Sequence, residues 1–151
     1  MDISITNLQK RIPIKTARII RVVRKILKAE RVPAAQLSFV FVSNPKIRAL
    51  NKKFLKRNSA TDVLAFDFNK SKSDELNGEI IISTDQAIHN ARLYKTSSQK
   101  ELMLYVIHGI LHLLGFDDHT SAEIKRLRRK EEELFKIAFP KIIDIPTERM
   151  E

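Results

Sequence analysis

The fold and the candidate site depend on one stretch, Val106-Ile-His108-Gly-Ile-Leu-His112-Leu-Leu-Gly115-Phe-Asp-Asp-His119. His108 and His112 are four residues apart within a nearly continuous apolar run, from Leu102 to Leu114. On an α-helix, positions i and i+4 lie on one face, one turn apart. The pattern therefore predicts a buried helix that carries two imidazoles side by side. It predicts that this helix ends at Gly115, which can adopt the left-handed C′ conformation.

A third histidine, His119, stands directly before Thr120-Ser-Ala-Glu123, which has the pattern of a capping box. The box predicts a second helix that begins here, with His119 able to fold back toward the first two. Three imidazoles in this layout indicate a catalytic zinc site, in which one coordination position stays open for water. We therefore predict Zn²⁺ bound by His108, His112 and His119. The alternative is that they are core histidines satisfied by other polar groups.

The composition predicts one globular domain with a basic surface. The chain has 151 residues, of which 43% are hydrophobic and 30% charged, enough for a core of its own. Its net charge of +10 favours a polyanionic partner, RNA or DNA, or an anionic membrane surface. The alternative is a basic but inert surface. The chain has no cysteine, so any metal must be held by histidines and carboxylates.

The location of the protein is expected to be cytoplasmic. The absence of cysteine suits a reducing compartment. The first residues, MDISITNLQK, lack the basic-then-apolar layout of a signal peptide. The uninterrupted apolar run Leu102–Ile107 is far shorter than the ~20 residues that a membrane span needs. We therefore expect no membrane-spanning segment, and among the polyanionic partners we expect a nucleic acid rather than a membrane.

Periodicity along the chain predicts the element order β-α-β-α-β-β-α-α-α. This order indicates one α+β domain over 1–151, with a roughly four-stranded mixed sheet covered by helices. The predicted elements are strand Asp2–Asn7, helix Lys15–Glu30, strand Gln36–Ser43, a helix from Asn44 to about Lys56, strands Thr61–Phe68 and Gly78–Ser83, helix Thr84–Tyr94, the histidine helix capped by Ser97 or Ser98, and helix Ser121–Ala138.

Two of these helices carry many basic residues. On the first helix, the side chains mostly off the apolar stripe are Arg18, Arg21, Arg24, Lys25 and Lys28. We interpret this face as solvated, with an RNA-backbone surface as the alternative. On the last helix, the basic run Lys125–Lys130 is followed by Glu131–Glu133, and we interpret both as solvated.

The motif from His108 to Asp117 resembles the signature H-G-x-L-H-L-x-G-Y-D-H of the YbeY family, the metal-dependent, single-strand-specific endoribonucleases of bacterial rRNA maturation. Asn51–Phe66, which contains T-D-V-L-A-F, resembles the family block N-x-x-Y-R…T-D-V-L-S-F. Gly78–Ile82 resembles the family strand G-D-I-x-I. The similarity extends from about Leu37 to Leu134, most of the chain.

The resemblance implies a metal-dependent hydrolase domain with a metzincin-like zinc site on a central helix. The ligands would be His108, His112 and His119. It also implies action in 16S rRNA 3′-end maturation and ribosome quality control. The expected partners are the 16S rRNA precursor and the ribosome or its small subunit, without DNA.

Three departures from the family pattern concern the site. Six residues, Leu113 to Asp118, separate the second and third histidines, one more than the family's usual spacing. The turn must therefore bulge to bring His119 to the metal, or Asp118 itself approaches it. The family's arginine after N-x-x-Y falls on Leu55, so Arg57 is the candidate substitute. A methionine that the family has in its last helix is replaced by Leu127.

The predicted mechanism is metal-assisted hydrolysis of phosphodiesters. Arg57 would stabilise the developing charge, and Asp117 and Asp118 would orient a ligand ring or the water. The alternative for the two aspartates is turn and helix N-terminal chemistry. We expect His89 to be a surface or core residue.

Two other functions remain open. A zinc metallopeptidase would need the glutamate of H-E-x-x-H as its base, but that position holds Gly109. The second alternative is a non-catalytic RNA-binding protein of ribosome assembly, in which any zinc is structural. Three histidines without a cysteine favour an open catalytic site over a closed structural one.

Overall fold

The strands and helices follow one another along the chain in the predicted order, β-α-β-α-β-β-α-α-α. The computed structural model describes residues 1–55, 61–69 and 75–141. Within these ranges the elements are β1 (Asp2–Asn7), α1 (Thr16–Ala29), β2 (Ala34–Val42), α2 (Asn44–Leu55), β3 (Val63–Asp67), β4 (Glu75–Ser83), α3 (Thr84–Leu93), α4 (Ser98–Leu113) and α5 (Ser121–Ala138).

The described strands form a four-stranded sheet in the order β1-β2-β4-β3. Strand β2 pairs in parallel with β1 and with β4, and Phe39 lies opposite Ile80 of β4. Strand β3 is antiparallel to β4 and forms an edge of the sheet. The predicted α+β fold with a mixed sheet is therefore confirmed.

Alternate side chains of a strand point to opposite faces of the sheet, so neighbouring residues of one strand belong to different cores. The two cores differ in size. Phe39 of β2 and Ile80 of β4 are fully buried and join the large core formed with α1, α4 and α5. On the other face, Ile81 of β4 packs in a smaller core with Ile47 of α2 and Leu64 of β3. The histidine helix lies in the larger of the two cores.

Helix α5 is fixed against the N-terminal part of the chain by polar contacts near its middle and at its C-terminal end. Lys130 Nζ lies 2.5 Å from Glu30 Oε1, just after the end of α1. Arg18 on α1 donates a hydrogen bond to the carbonyl of Ala138, and its guanidinium stacks over Phe139 at 4.7 Å. These contacts join α1 and α5, which are about 100 residues apart in sequence. None of the described helices is both long and apolar enough to cross a membrane.

Candidate active site

Helix α4 carries the two central histidines, and capping interactions fix where it begins and ends. Ser97 caps its N-terminus by accepting a hydrogen bond from the Lys100 amide. At its C-terminus, Gly115 has φ +96°, and its amide donates to the His112 carbonyl. The Phe116 amide donates to the Leu111 carbonyl, which completes a Schellman motif. The helix therefore ends as the glycine predicts.

Helix α4 presents His108 and His112 side by side, as the i, i+4 spacing predicts. Their Nε2 atoms are 2.9 Å apart. The ring centroids are 4.6 Å apart, and the ring planes meet at 66°. Both imidazoles lie at a partly open point of an otherwise buried helix. Two nitrogens that face each other at this distance share one proton or, in a loaded site, one cation.

The surroundings of His112 favour its neutral form. Burial lowers the pKa of His112, and the neighbouring His108 lowers it further. The carboxylates of Asp118, Asp117 and Glu131 act in the opposite direction, but the pKa remains below its ordinary value. Since a metal binds neutral imidazole, this environment suits a ligand.

A carboxylate that the sequence analysis assigned to a solvated run lies against the histidine pair. Glu131 Oε1 on α5 is 3.4 Å from His108 Nδ1, and the side chains of both residues are only 13% exposed. The sequence does contain a signal for this position. Leu127 and Leu134, four residues before and three after Glu131, are buried and place it on the apolar face of α5.

The loop between α4 and α5 carries three further predicted site residues. Asp117, Asp118 and His119 are exposed. Thr120 caps α5 and forms the predicted capping box with Glu123, so His119 lies directly before the start of this helix. Asp118 also lines a small cleft of about 40 Å³ at the base of α5, and Glu131 lines the same cleft.

The predicted ligand set is brought together in part. His108 and His112 converge, but no group of three histidine or acidic side chains is placed to hold a metal anywhere in residues 1–55, 61–69 and 75–141. The role of His119 as third ligand therefore stays a prediction. Arg57, the candidate for the family arginine, lies outside the described residues.

The donor set fits zinc at the two positions that the structure assembles. Tetrahedral zinc with bonds of about 2.0–2.1 Å holds two ligand nitrogens about 3.3 Å apart. The observed separation of 2.9 Å between His108 Nε2 and His112 Nε2 needs only small ring rotations to reach that value. A carboxylate behind one ligand ring, here Glu131, is typical of histidine metal sites.

Comparison with known proteins identifies the family. Residues 4–138 match the family model described as Endoribonuclease YbeY. The chain belongs to the YbeY endoribonuclease family. Relatives named Endoribonuclease YbeY include one from Geobacter metallireducens, 36% identical over 91% of this chain and 95% of its own. Another, from Geobacter sulfurreducens, is 36% identical over 89% of this chain and 94% of its own.

A solved structure supports the fold of this YbeY-family chain. The solution structure of the Thermotoga maritima protein TM1509 superposes with a TM-score of 0.66 at 25% identity. The match covers 92% of this chain and 90% of the Thermotoga chain. The α+β architecture described above is therefore shared with an experimentally determined relative.

Proposed function

We propose that the protein is a metal-dependent endoribonuclease that hydrolyses phosphodiester bonds of single-stranded RNA. One observation carries the proposal: in a chain of the YbeY endoribonuclease family, α4 places His108 Nε2 and His112 Nε2 2.9 Å apart. Two adjacent imidazoles on a buried helix are half of the ligand shell of a catalytic zinc ion.

The proposed ligands are His108, His112 and His119. When bound, zinc supplies Lewis acidity and a water whose pKa is lowered to about 7. His119 lies on the exposed loop that follows the Schellman turn, so this loop is the segment that has to close the ligand set. Asp118 acts electrostatically on His112 and is the alternative third ligand from the same loop.

The chain's own residues have separate roles in this proposal. Asp117 and Asp118, both within electrostatic reach of His112, would orient the imidazole or the water. Arg57 is proposed to stabilise charge on the phosphoryl oxygens. Its position after α2 corresponds to the family's arginine, displaced by two residues.

The basic surface supports RNA as the substrate. The chain carries a net charge of +10. On α1, Arg21, Arg24, Lys25 and Lys28 are exposed and follow the i, i+3, i+4, i+7 pattern of one helix face. Such a stripe binds the phosphates of a nucleic acid without regard to sequence.

The finer assignment rests on family membership. We propose that the substrate is the 16S rRNA precursor at its 3′ end, that the partner is the ribosome or its small subunit, and that the protein acts in rRNA maturation and ribosome quality control in the cytoplasm. DNA and membranes are not proposed as partners. The family name and the basic charge support RNA as the substrate, and the 16S rRNA, the ribosome and the cytoplasm are proposed from the resemblance of the sequence to the YbeY family.

The alternatives are disfavoured by specific residues. A metallopeptidase of the H-E-x-x-H type needs a glutamate where this chain has Gly109. A non-catalytic RNA-binding protein has no need of two facing imidazoles whose environment keeps His112 neutral.

The test is cleavage of a single-stranded RNA by the purified full-length chain, with metal content measured on the same sample. We expect bound zinc, cleavage that a chelator abolishes and zinc restores, and loss of cleavage in His112→Ala. His89→Ala is the matched control, because His89 is exposed on α3. Cleavage that persists in His112→Ala, or cleavage of a peptide but not of RNA, would overturn the proposal.

A further inference from the structure

Glu131 is a charged residue on the apolar face of α5. Its side chain is 13% exposed, and its helical neighbours Leu127 and Leu134 belong to the main core. A carboxylate in such a position is rarely found without a partner, because removal from water penalises the charge. The contact that Glu131 makes therefore indicates why the residue is there.

That contact is with the outer nitrogen of a proposed metal ligand. Glu131 Oε1 lies 3.4 Å from His108 Nδ1, while the other ring nitrogen, Nε2, lies 2.9 Å from His112 Nε2. A neutral imidazole has one N–H donor and one lone pair. A carboxylate at Nδ1 favours the N–H there, which leaves the lone pair on Nε2, the side where the two rings meet.

The neighbouring charged residues of α5 are engaged elsewhere. Lys130 pairs with Glu30 at 2.5 Å. Glu133 is 62% exposed and lies 3.5 Å from the same lysine. Of the three residues Lys130, Glu131 and Glu133, Glu131 is the one that contacts the histidine pair.

We propose that Glu131 is a positioning residue: it holds His108 as the Nδ1–H tautomer and thereby directs the Nε2 lone pair toward the metal position. This inference rests on the proposed function for the metal, but its core concerns the metal-free protein. The same tautomer has a second consequence in the metal-free protein. Because His108 Nε2 is then an acceptor, His112 Nε2 must carry the proton that joins the two rings at 2.9 Å.

The first test measures the imidazole nitrogen chemical shifts of the metal-free, uniformly labelled full-length protein at neutral pH. We expect a protonated Nδ1 and an unprotonated Nε2 on His108, with the opposite arrangement on His112. A His108 ring protonated on Nε2 would overturn the proposal, whatever the variants do.

The second test compares Glu131→Leu, Glu131→Gln and the control Glu132→Leu in the same experiment and in zinc competition against a chromophoric chelator. Removal of a carboxylate behind a metal-bound histidine typically weakens binding by about 10–100-fold. We expect that loss in Glu131→Leu together with a mixed His108 tautomer. The zinc affinity of Glu131→Gln, which keeps an oxygen acceptor, should stay much closer to that of the wild type. Glu132→Leu should have the zinc affinity and the His108 tautomer of the wild type.

Unchanged tautomer and zinc affinity in Glu131→Leu would overturn the inference. Failure of the proposed function has a different signature: the wild type would bind zinc and show the expected tautomers yet leave RNA uncut. If Glu131→Leu does not fold, the tautomers of the wild-type protein still decide the question.

Discussion

The backbone of α4 at Gly109 lies so close to Ile80 of β4 that a Cβ atom on Gly109 would be 2.6 Å from Ile80 Cγ2. Real Cβ atoms essentially never come that close, and Ile80 is fully buried. Gly109 occupies the position at which H-E-x-x-H proteases carry their glutamate. The packing of the histidine helix on the sheet therefore excludes the side chain that a protease would need.

Gly109→Ala should destabilise the protein by about 1–3 kcal/mol, the usual cost of overpacking a core. The direction of this change in stability is informative, because an alanine inside a helix is otherwise favoured over glycine by about 1 kcal/mol. Urea denaturation measures the free energy of unfolding. The control is a double-mutant cycle with Ile80→Ala, in which the cost of Gly109→Ala should shrink. An equal or larger cost in that background would show that the clash is not with Ile80.

Gly115→Ala should destabilise the turn that connects α4 to the His119 loop. Gly115 has φ +96° and nothing within 4 Å of an added Cβ, so the cost comes from the backbone conformation alone. A left-handed conformation costs a residue with a Cβ about 1–2 kcal/mol, and asparagine tolerates it better than alanine. Thermal denaturation of Gly115→Ala and Gly115→Asn should therefore rank the asparagine variant between alanine and the wild type. The prediction fails if alanine is tolerated as well as glycine.

Asp85 should contribute stability that is lost in acid. Partial burial raises the pKa of Asp85, but the hydrogen bond from the Asn44 amide and the Arg11 guanidinium at 2.7 Å lower it below its ordinary value of 3.8 overall. The unfolded chain therefore takes up the proton first as the pH falls. The stabilisation is complete above about pH 4 and disappears below it as the folded carboxyl titrates.

The variant Asp85→Asn measures this contribution. We expect a loss of about 1 kcal/mol at neutral pH, since hydrogen bonds to a charged group contribute about 1.5–3 kcal/mol and the Arg11 partner is largely exposed. The difference from the wild type should vanish below the pKa of the folded carboxyl. Asp2→Asn, at an exposed position, is the control and should show no such pH dependence. A difference that persists undiminished in acid would contradict the assignment.

Arg21→Gln/Lys25→Gln on the exposed stripe of α1 should weaken RNA binding without harming the fold. For single-stranded RNA, each lost phosphate contact reduces the slope of the logarithm of the binding constant against the logarithm of the salt concentration by about 0.7. The slope for the double variant should therefore be smaller by up to about 1.4. Stability should not fall, because two like charges at i, i+4 repel each other. Arg92→Gln/Lys95→Gln, exposed at the end of α3, is the charge-matched control. Equal effects of the two pairs would assign the loss to net charge alone.

Local signals predicted those parts of the structure that local physics determines. Helix α5 runs from Ser121 to Ala138 as predicted, because the capping box fixes its start. The i, i+4 spacing placed His108 and His112 together, since helix geometry alone brings them there. The turn at Gly115 followed from the same kind of signal.

Long-range contacts decided the parts that the sequence did not reveal. Strand β4 begins at Glu75, three residues before the predicted Gly78, because its parallel ladder with β2 starts at the Ala34–Glu75 pair. The buried role of Glu131 depends on how α5 docks on α4, and a charge run conceals that face. The position of His119 depends on a turn that is one residue longer than the family pattern, which helix periodicity does not describe.

The pairing of Lys130 with Glu30 has a consequence for the newly made protein. The carboxylate that touches the histidine pair arrives on α5, the last described helix, and α5 docks partly on α1, which is synthesised first. A nascent chain from which α5 has not yet emerged therefore has its two imidazoles but not the carboxylate behind them, so the surroundings of His108 are complete only once α5 has docked.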